Sequence, residues 1–183
     1  MSFVIVYDAN VLYKSTTRDL LIRIAMSGLV QAKWTDRILD EVFTNLAKNR
    51  ADLDPVKLAR TRDLMNLAIR DVLVADYEPI ERGLDLPDPG DNHVLAAAIK
   101  SRAQVIVTGN TRHFPAEHLA PWNIDAKTAD EFVMDQLDLK RDAVVVAVQQ
   151  IADSHVKPPN TFAGILKSLE TDGLAESVAV LRG

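Results

Sequence analysis

The sequence contains no cysteine, and this absence excludes several kinds of chemistry at once. Disulfide bridges, thiolate metal sites and a cysteine nucleophile are all ruled out, so we expect a reducing, cytoplasmic environment. No apolar run approaches the roughly 20 residues that a transmembrane helix needs. The residues after Met1 form an apolar, strand-like run without a basic leader, so we expect neither a signal peptide nor a membrane partner.

Positive charge is also in short supply. The chain has 21 lysines and arginines against 26 aspartates and glutamates, a formal net charge of −5. This balance argues against broad binding of nucleic acid or membranes through an overall basic surface, but it leaves a local basic face open. The length of 183 residues suits one compact unit, and the 48% apolar and 26% charged fractions are typical of a globular protein.

Short apolar runs alternate with helical patterns over the first three quarters of the chain. The strand-like runs are residues 3–7, 72–74 and 105–108, with a last short strand near Ile124. Helical patterns cover residues 18–26, 35–46, 55–69, 92–102 and 129–137. Such alternation indicates parallel strands joined by crossover helices, which predicts a three-layer α/β fold with a central parallel sheet flanked by helices.

The last 46 residues have a different pattern, because they contain helical periodicity and no strand. One helix is predicted over 139–154, a second after Asn160 and a third over 172–181, with Pro158 and Pro159 separating the first two. We therefore divide the chain into an α/β unit over 1–137 and a helical C-terminal extension over 138–183. The extension either packs on the α/β core or binds a partner, and packing is the favoured alternative.

Polar residues follow two of the predicted strands where those strands end. Asp8 comes directly after the first strand, and Thr108, Gly109 and Asn110 follow the apolar run at 105–107. Ligands of parallel α/β sheets bind beyond the carboxyl ends of the strands. If these strands are neighbours, Asp8 and Asn110 reach the same crevice.

Further carboxylates are placed to join them. Glu41 lies beside the apolar stripe of its helix, Asp91 stands at the start of an alanine-rich helix, and Asp88 is in the loop before it. Taken singly, each has an ordinary structural explanation: Asp91 as a helix N-cap, Asp8 in a turn, Glu41 and Asp88 solvated. Together, carboxylates without cysteine suit Mg²⁺ or Mn²⁺, which serve phosphodiester hydrolysis in many enzymes.

Four segments resemble the motifs of the PIN-domain family, in the family's order. They are Val6-Tyr7-Asp8-Ala9-Asn10-Val11-Leu12, Ile38-Leu39-Asp40-Glu41-Val42, Asp91-Asn92-His93-Val94-Leu95-Ala96-Ala97-Ala98 and Val107-Thr108-Gly109-Asn110. The resemblance covers about residues 1–137. Within the family, the chain resembles the prokaryotic toxins of VapBC-type toxin–antitoxin pairs.

This resemblance implies a Mg²⁺- or Mn²⁺-dependent endoribonuclease, with RNA as substrate, a cognate antitoxin as partner and a homodimer as the expected assembly. It implies that Asp8, Glu41 and Asp91 are catalytic, metal-binding acids. Asn110 departs from the family's usual aspartate, which puts a strict two-metal mechanism in doubt. Asp88 and Thr108 are support residues, one adding charge and the other bonding a carboxylate or a water.

The other titratable and basic residues are more weakly placed. A general-base role for His93 is a minor alternative, and His113 and His118 are expected to be a solvated pair. Basic residues are concentrated between positions 48 and 70, where a basic rim for RNA competes with an ordinary solvated helix face. The proposed RNA contacts are Lys48, Arg50, Arg60 and Arg62, with Lys14, Arg18, Lys57, Arg70 and Arg112 as further candidates.

Three alternative functions stay open. The first is an RNA-processing or DNA-directed PIN nuclease outside a toxin system. The second is a non-catalytic nucleic-acid-binding module, for which Asn110 is the one supporting feature. The third, a magnesium-dependent phosphatase, is disfavoured because the turn Asp8-Ala9-Asn10 lacks the second carboxylate that such enzymes use.

Overall fold

A computed structural model describes residues 2–183 and contains one four-stranded sheet. All strand pairs are parallel, and the strand order is β2-β1-β3-β4. The strands are β1 (Phe3–Tyr7), β2 (Val30–Lys33), β3 (Val105–Val107) and β4 (Asp125–Lys127). This arrangement confirms the predicted α/β fold with a central parallel sheet.

Helices make up most of the remaining chain. The first seven are α1 (Ala9–Leu12), α2 (Ser15–Met26), α3 (Asp36–Asn49), α4 (Pro55–Ala68), α5 (Glu78–Glu81), α6 (Asn92–Lys100) and α7 (Ala116–Leu119). The C-terminal three are α8 (Ala129–Ser154), α9 (Phe162–Thr171) and α10 (Ala175–Arg182). Short 3₁₀ turns lie at Pro89–Asp91, Thr111–His113 and Ala120–Trp122.

Strand β1 lies inside the sheet because its residues are apolar on both faces. Ile5, Val6 and Tyr7 are at most 1% exposed. Ile5 pairs with Ala32 of β2 on one side and with Val105 of β3 on the other. A parallel strand covered on both faces reads as a continuous apolar run, which is the pattern that the sequence shows here. Its carboxyl end therefore opens next to that of β3.

Helix α3 fixes the position of Glu41. The Thr35 hydroxyl accepts a hydrogen bond from the Ile38 amide at 3.0 Å and so caps the helix, as its sequence predicts. Ile38 and Val42 are buried in the core, so this apolar stripe packs inside the protein. Glu41 is half-buried at the side of that stripe.

One strand prediction is wrong, and one strand was not predicted. Residues 72–74 form only an isolated parallel bridge, between Leu73 and Trp34, at the outer side of β2. β2 itself, Val30–Lys33, takes the place beside β1. The run Val-Gln-Ala-Lys carries little β-propensity, so its pairing with β1 and not its local sequence makes it a strand.

The C-terminal extension packs on the rest of the molecule, as expected. Val148 and Ile151 of α8 and Leu169 of α9 are buried in the same hydrophobic core as Leu21 and Ile24 of α2. Residues 129–137 and 139–154 are joined into one helix, α8, which is kinked where Lys140 has non-helical dihedrals. The boundary between 137 and 138 stays a prediction. No helix within residues 2–183 is both long and apolar enough to cross a membrane.

Candidate active site

Asp8 sits where β1 ends, and hydrogen bonds hold its carboxylate in place. Its Oδ1 accepts from the Ala9 amide at 2.7 Å, which caps the short helix α1. Its Oδ2 accepts from the Thr108 hydroxyl at 2.9 Å, across the ends of β1 and β3. Asp8 is only 5% exposed. Asp8 therefore begins a short helix, where the sequence offers a simple turn as the alternative, and its hydrogen bonds fix the carboxylate at the sheet edge.

Asn10 ties the two strand ends together. Its Nδ2 donates to Asp8 Oδ2 at 3.3 Å and to the Thr108 hydroxyl at 3.2 Å. Its Oδ1 accepts from the Gly109 amide at 2.8 Å. The Thr108 hydroxyl also accepts from the Asn110 amide at 3.1 Å. This network fixes Asp8 and the turn that carries Asn110 relative to each other.

Glu41 meets His93, which comes from α6. The His93 Nε2 and Glu41 Oε1 atoms are 2.7 Å apart, but they are not aligned as a hydrogen bond. His93 is fully buried, and neither of its ring nitrogens has a hydrogen-bond partner among the described residues. The buried imidazole therefore lies against the Glu41 carboxylate, whose side chain stays 41% exposed at the cleft.

Asp91 occupies the N-cap position of α6 without capping it, because its side chain accepts no cap hydrogen bond. Its Oδ2 instead lies 2.9 Å from His113 Nδ1. Asp88, whose carboxylate accepts from the Gly90 amide, completes a cluster with ligand atoms of Asp91 and His113 within 4.8 Å of one another. His113 is half-exposed, as a solvated residue would be, but it also contacts Asp91, which the sequence does not predict.

The predicted acids converge on one cleft of about 390 Å³, which we call the acidic cleft. Its lining includes Asp8, Glu41, Asp91 and Asn110, contributed by four separate segments of the chain. Asp88 and Thr108 do not line it. The Thr108 hydroxyl donates to Asp8, and a carboxylate oxygen of Asp88 lies within 4.8 Å of the ligand atoms of Asp91 and His113. No lysine or arginine within residues 2–183 lines this cleft.

The pKa values of two carboxyls in the acidic cleft are raised. Burial, followed by the nearby charges of Asp91 and Glu41, raises the pKa of Asp8 above its ordinary value, although hydrogen bonds from Thr108 and Ala9 oppose the shift. Burial likewise raises the pKa of Asp91, against the opposing hydrogen bond from His113. A raised pKa means that the ionised form of these carboxyls is disfavoured, and a bound cation would stabilise that ionised form.

The donor set of the cleft fits a hard divalent cation. Asp8, Glu41 and Asp91 offer carboxylate oxygens and Asn110 an amide oxygen, and oxygen donors are what Mg²⁺ and Mn²⁺ prefer. Two imidazoles lie at the margin of this set, the half-exposed His113 beside Asp91 and the buried His93 beside Glu41. The arrangement can bind a cation and present it to a phosphate group.

The predicted RNA contacts do not gather around the acidic cleft. Arg62 forms ion pairs with Asp40 at 2.6 Å and Asp36 at 3.5 Å. Lys48 and Arg60 are exposed on α3 and α4, and neither forms an ion pair in the described part of the chain. Arg50 lies at the edge of a neighbouring groove and pairs with Asp52.

Two residues of the site received no role from the sequence. Asn10 lies in the first of the four motif segments, and its position two residues after Asp8 is the signal in the sequence. His113 follows Asn110 by three residues, and the 3₁₀ turn Thr111–His113 brings it back toward Asp91. That turn carries no distinctive sequence, so the pairing could not be read from the spacing.

The comparison with protein families decides the identity of the fold. The PIN domain model matches residues 4–112, which is more than half of the chain. The chain belongs to the PIN-domain family. A second model, described as the VapC50 C-terminal domain, matches residues 129–183. The PIN domain and the C-terminal region therefore both have recognised relatives.

One curated relative aligns with part of the chain. It is the protein named "Putative ribonuclease VapC50" of Mycobacterium tuberculosis, 44% identical over 79 residues. The aligned segment covers 43% of this chain and 47% of the relative, so the chain spans about half the length of the curated relative that it matches. No solved structure matches the chain significantly.

Proposed function

We propose that this PIN-domain protein is a metal-dependent endoribonuclease and the toxin of a VapBC-type toxin–antitoxin pair. The observation that carries the proposal is the convergence of Asp8, Glu41 and Asp91 in one cleft that lacks a compensating lysine or arginine among residues 2–183. The name of the relative, a ribonuclease of the VapC type, supports RNA as the substrate. The match at residues 129–183 supports the same assignment for the C-terminal part.

Asp8, Glu41 and Asp91 are the proposed ligands of Mg²⁺ or Mn²⁺, with Asn110 as a neutral fourth donor. When bound, such an ion neutralises charge on the scissile phosphate and lowers the pKa of water. Asp8 is the most fixed of the three, because Ala9, Asn10 and Thr108 all donate hydrogen bonds to it. Its proposed role is therefore to fix the position of the ion in the acidic cleft.

The reaction is hydrolysis of the RNA backbone by in-line attack of water. A water oxygen forms a bond to phosphorus as the bond from phosphorus to the 3′ oxygen breaks, and the 3′ oxygen takes up a proton from solvent, which leaves a 5′-phosphate and a 3′-hydroxyl. Glu41 and Asp91 reach the cleft with carboxylates that can orient the water and accept its proton. Asn110 can hydrogen-bond the phosphate as well as offer an oxygen, which an aspartate at this position could not do.

The remaining proposals concern location, assembly and domain division. A cytoplasmic homodimer is proposed, and exposed apolar side chains support self-association: Leu64 is 54%, Leu67 80% and Met26 58% exposed. Light scattering on the purified protein tests the dimer.

We also propose a nuclease unit over 1–137 and an extension over 138–183. The outer basic residues Lys48, Arg60 and Arg62 are proposed as weaker RNA contacts beside Arg50.

The activity is tested by incubating the purified chain with single-stranded RNA and Mg²⁺ or Mn²⁺. Cleavage should require the ion, stop in EDTA and leave products that carry a 5′-phosphate. Cleavage that survives EDTA, or products that end in a cyclic phosphate, would contradict the proposed chemistry. Calorimetry with each ion separately decides between Mg²⁺ and Mn²⁺ and gives the number of ions bound.

The toxin assignment is tested in cells. Induced expression should arrest growth, and co-expression of the product of a small neighbouring gene should relieve the arrest. Growth that continues despite an active enzyme would instead favour an RNA-processing nuclease. A folded chain that binds RNA without cutting it would favour the non-catalytic alternative, for which Asn110 is the supporting residue.

A further inference from the structure

Two grooves open beside the acidic cleft, and each shares a residue with it. The first, of about 550 Å³, shares Tyr13 with the cleft and lies between the start of α2 and the α3–α4 connection. Four cations line it against two acids: Lys14, Arg18, Arg50 and Lys57 against Asp54 and Asp172. We call it the basic groove.

The second groove has the opposite character. It holds about 500 Å³, shares Asn10 with the cleft and is walled on one side by the C-terminal helices. One cation, Lys14, faces four acids there: Asp130, Glu131, Asp172 and Glu176. We call it the acidic groove. The surface beside the cleft is therefore polarised, although the protein as a whole is acidic.

The cations of the basic groove differ in how free they are. Lys14 and Lys57 are exposed, and neither forms an ion pair among residues 2–183. Arg18 is mostly buried, and its guanidinium donates to the carbonyls of Leu12 and Tyr13. Arg50 is already paired with Asp52. Lys14 and Lys57 are thus the two groups available to a new anion.

The two acids of the basic groove are committed to the protein itself. The Asp54 carboxylate accepts from the Val56 amide at 2.9 Å at the start of α4. The Asp172 carboxylate accepts from the Thr17 hydroxyl at 2.8 Å. Neither forms an ion pair with a lysine, and the four cations of the lining outnumber these two acids, so the groove is net positive.

We propose that the basic groove binds the single-stranded RNA backbone on one side of the scissile phosphate, with Lys14 and Lys57 contacting phosphates. This inference rests on the proposed ribonuclease function. Tyr13 lines both the cleft and the groove, so a strand can pass from one to the other past an aromatic ring of the kind on which bases stack. The four acids of the acidic groove outnumber its one cation, Lys14, and repel phosphate, so the strand is held on the side of the basic groove.

The test uses the full-length chain in EDTA, so that RNA is bound but not cut. The probe is a fluorescein-labelled single-stranded RNA of 20 random nucleotides, and the readout is its Kd from anisotropy at several salt concentrations. The variant is Lys14→Glu with Lys57→Glu. The matched control is Lys100→Glu with Lys167→Glu, which changes the net charge equally at exposed lysines that line neither groove. Thermal melts verify that both variants are folded.

The groove variant should weaken binding by about tenfold or more, and the control by less than about twofold. The slope of log K against log salt should become shallower by about 0.7 for each phosphate of the single strand that the variant no longer neutralises. A milder pair, Lys14→Gln with Lys57→Gln, should fall between the two. Equal losses of affinity in the groove and control variants would overturn the inference. So would an RNA duplex of the same length that binds the wild type as tightly as the single strand and loses as much affinity in the groove variant.

This outcome is separable from the fate of the proposed function. Wild-type protein that cleaves RNA while the groove variant binds normally defeats the groove alone. Wild-type protein that binds RNA through the groove but cuts nothing with Mg²⁺ or Mn²⁺ defeats the nuclease and leaves the groove in place. Each result therefore counts for or against one identified claim.

Discussion

The acidic cleft and the basic groove lie on either side of Tyr13, and they are built in contrasting ways. The cleft contains a short, fixed charged side chain, because Asp8 is 5% exposed and receives three hydrogen bonds. The groove carries its free charge on Lys14 and Lys57, two long, exposed side chains without ion pairs in the described part of the chain.

This contrast indicates what each region can be expected to tolerate. Hydrogen bonds hold a buried carboxylate in one position. Replacing one of its oxygens by an NH₂ group, as in Asp→Asn, therefore alters both its charge and its hydrogen bonds. An exposed lysine contributes mainly charge, and its contribution is additive and screened by salt. Substitutions in the cleft should therefore act almost all-or-none, and those in the groove should act gradually.

The largest effect is expected from Asp8→Asn. Loss of one ion-binding charge removes several kcal/mol of transition-state stabilisation, so RNA cleavage should fall by about a thousandfold. The measurement is the single-turnover rate on labelled RNA with Mg²⁺ or Mn²⁺. The matched control is Asp85→Asn, the same substitution at an exposed loop position, which should leave the rate unchanged. A rate for Asp8→Asn within a few-fold of wild type would refute the assignment of Asp8 as a ligand.

A smaller loss is expected when Asp8 is kept but its support is removed. Asn10→Ala deletes the amide that bonds Asp8, Thr108 and Gly109, so the carboxylate loses its fixed orientation. Displacement of a catalytic group by about 1 Å costs on the order of a hundredfold in rate. The comparison is Asn45→Ala. Asn45 lines the same cleft, and its side chain forms no hydrogen bond among residues 2–183. Equal rates for the two variants would show that the network does not position Asp8.

Arg18 tests whether every cation of the basic groove behaves alike. Its guanidinium donates to the carbonyls of Leu12 and Tyr13, and charged hydrogen bonds of this kind contribute about 1.5–3 kcal/mol each. Arg18→Met should therefore lower the melting temperature by several degrees, whereas Lys14→Met should not. Equal melting temperatures would mean that Arg18 is as free as the lysines and belongs with them as an RNA contact.

Much of the fold could be predicted because local and global signals agree. The apolar run of β1, the Thr35 cap with its apolar stripe and the alanine-rich α6 each specify one structure from neighbouring residues alone. β2 could not be predicted, because Val30–Lys33 becomes a strand only through its pairing with β1. For residues 72–74 the error is the reverse, because their local sequence predicts a strand that the structure does not contain. The run lies outside β2, where only one bridge forms.

The candidate site divides in the same way. The positions of Asp8 and Asn110 at neighbouring strand ends follow from parallel topology, and the pairing of β1 with β3 confirms the neighbourhood that the prediction required. The contacts of His113 with Asp91 and of Arg62 with Asp40 could not be predicted. Both depend on how loops and adjacent helices pack, which no short-range spacing in the chain encodes.

The smallest expected effect is on the melting temperature, and it concerns the stability that the Asp8 carboxyl costs the folded protein. Burial, with the charges of Asp91 and Glu41, raises the pKa of this carboxyl in the folded protein above its ordinary value of 3.8. The folded state therefore holds the proton more tightly than the unfolded chain, and the resulting stabilisation is lost as pH rises through the folded pKa. Asp8→Asn has no proton to lose, and an amide oxygen can still accept from Ala9.

In EDTA at pH 7, Asp8→Asn should consequently melt above the wild type, by about 2–4 °C for each 1 kcal/mol recovered in a protein of this size. The difference should shrink as pH falls toward 4, where the wild-type carboxyl takes up its proton. Saturating Mn²⁺ should reverse the order, because an ion that binds only the folded wild type stabilises it by about 2.7 kcal/mol at a hundred times its Kd. A wild type that melts higher even in EDTA would show that the Asp8 charge is already compensated, and the need for a cation at this cleft would then lose its electrostatic basis.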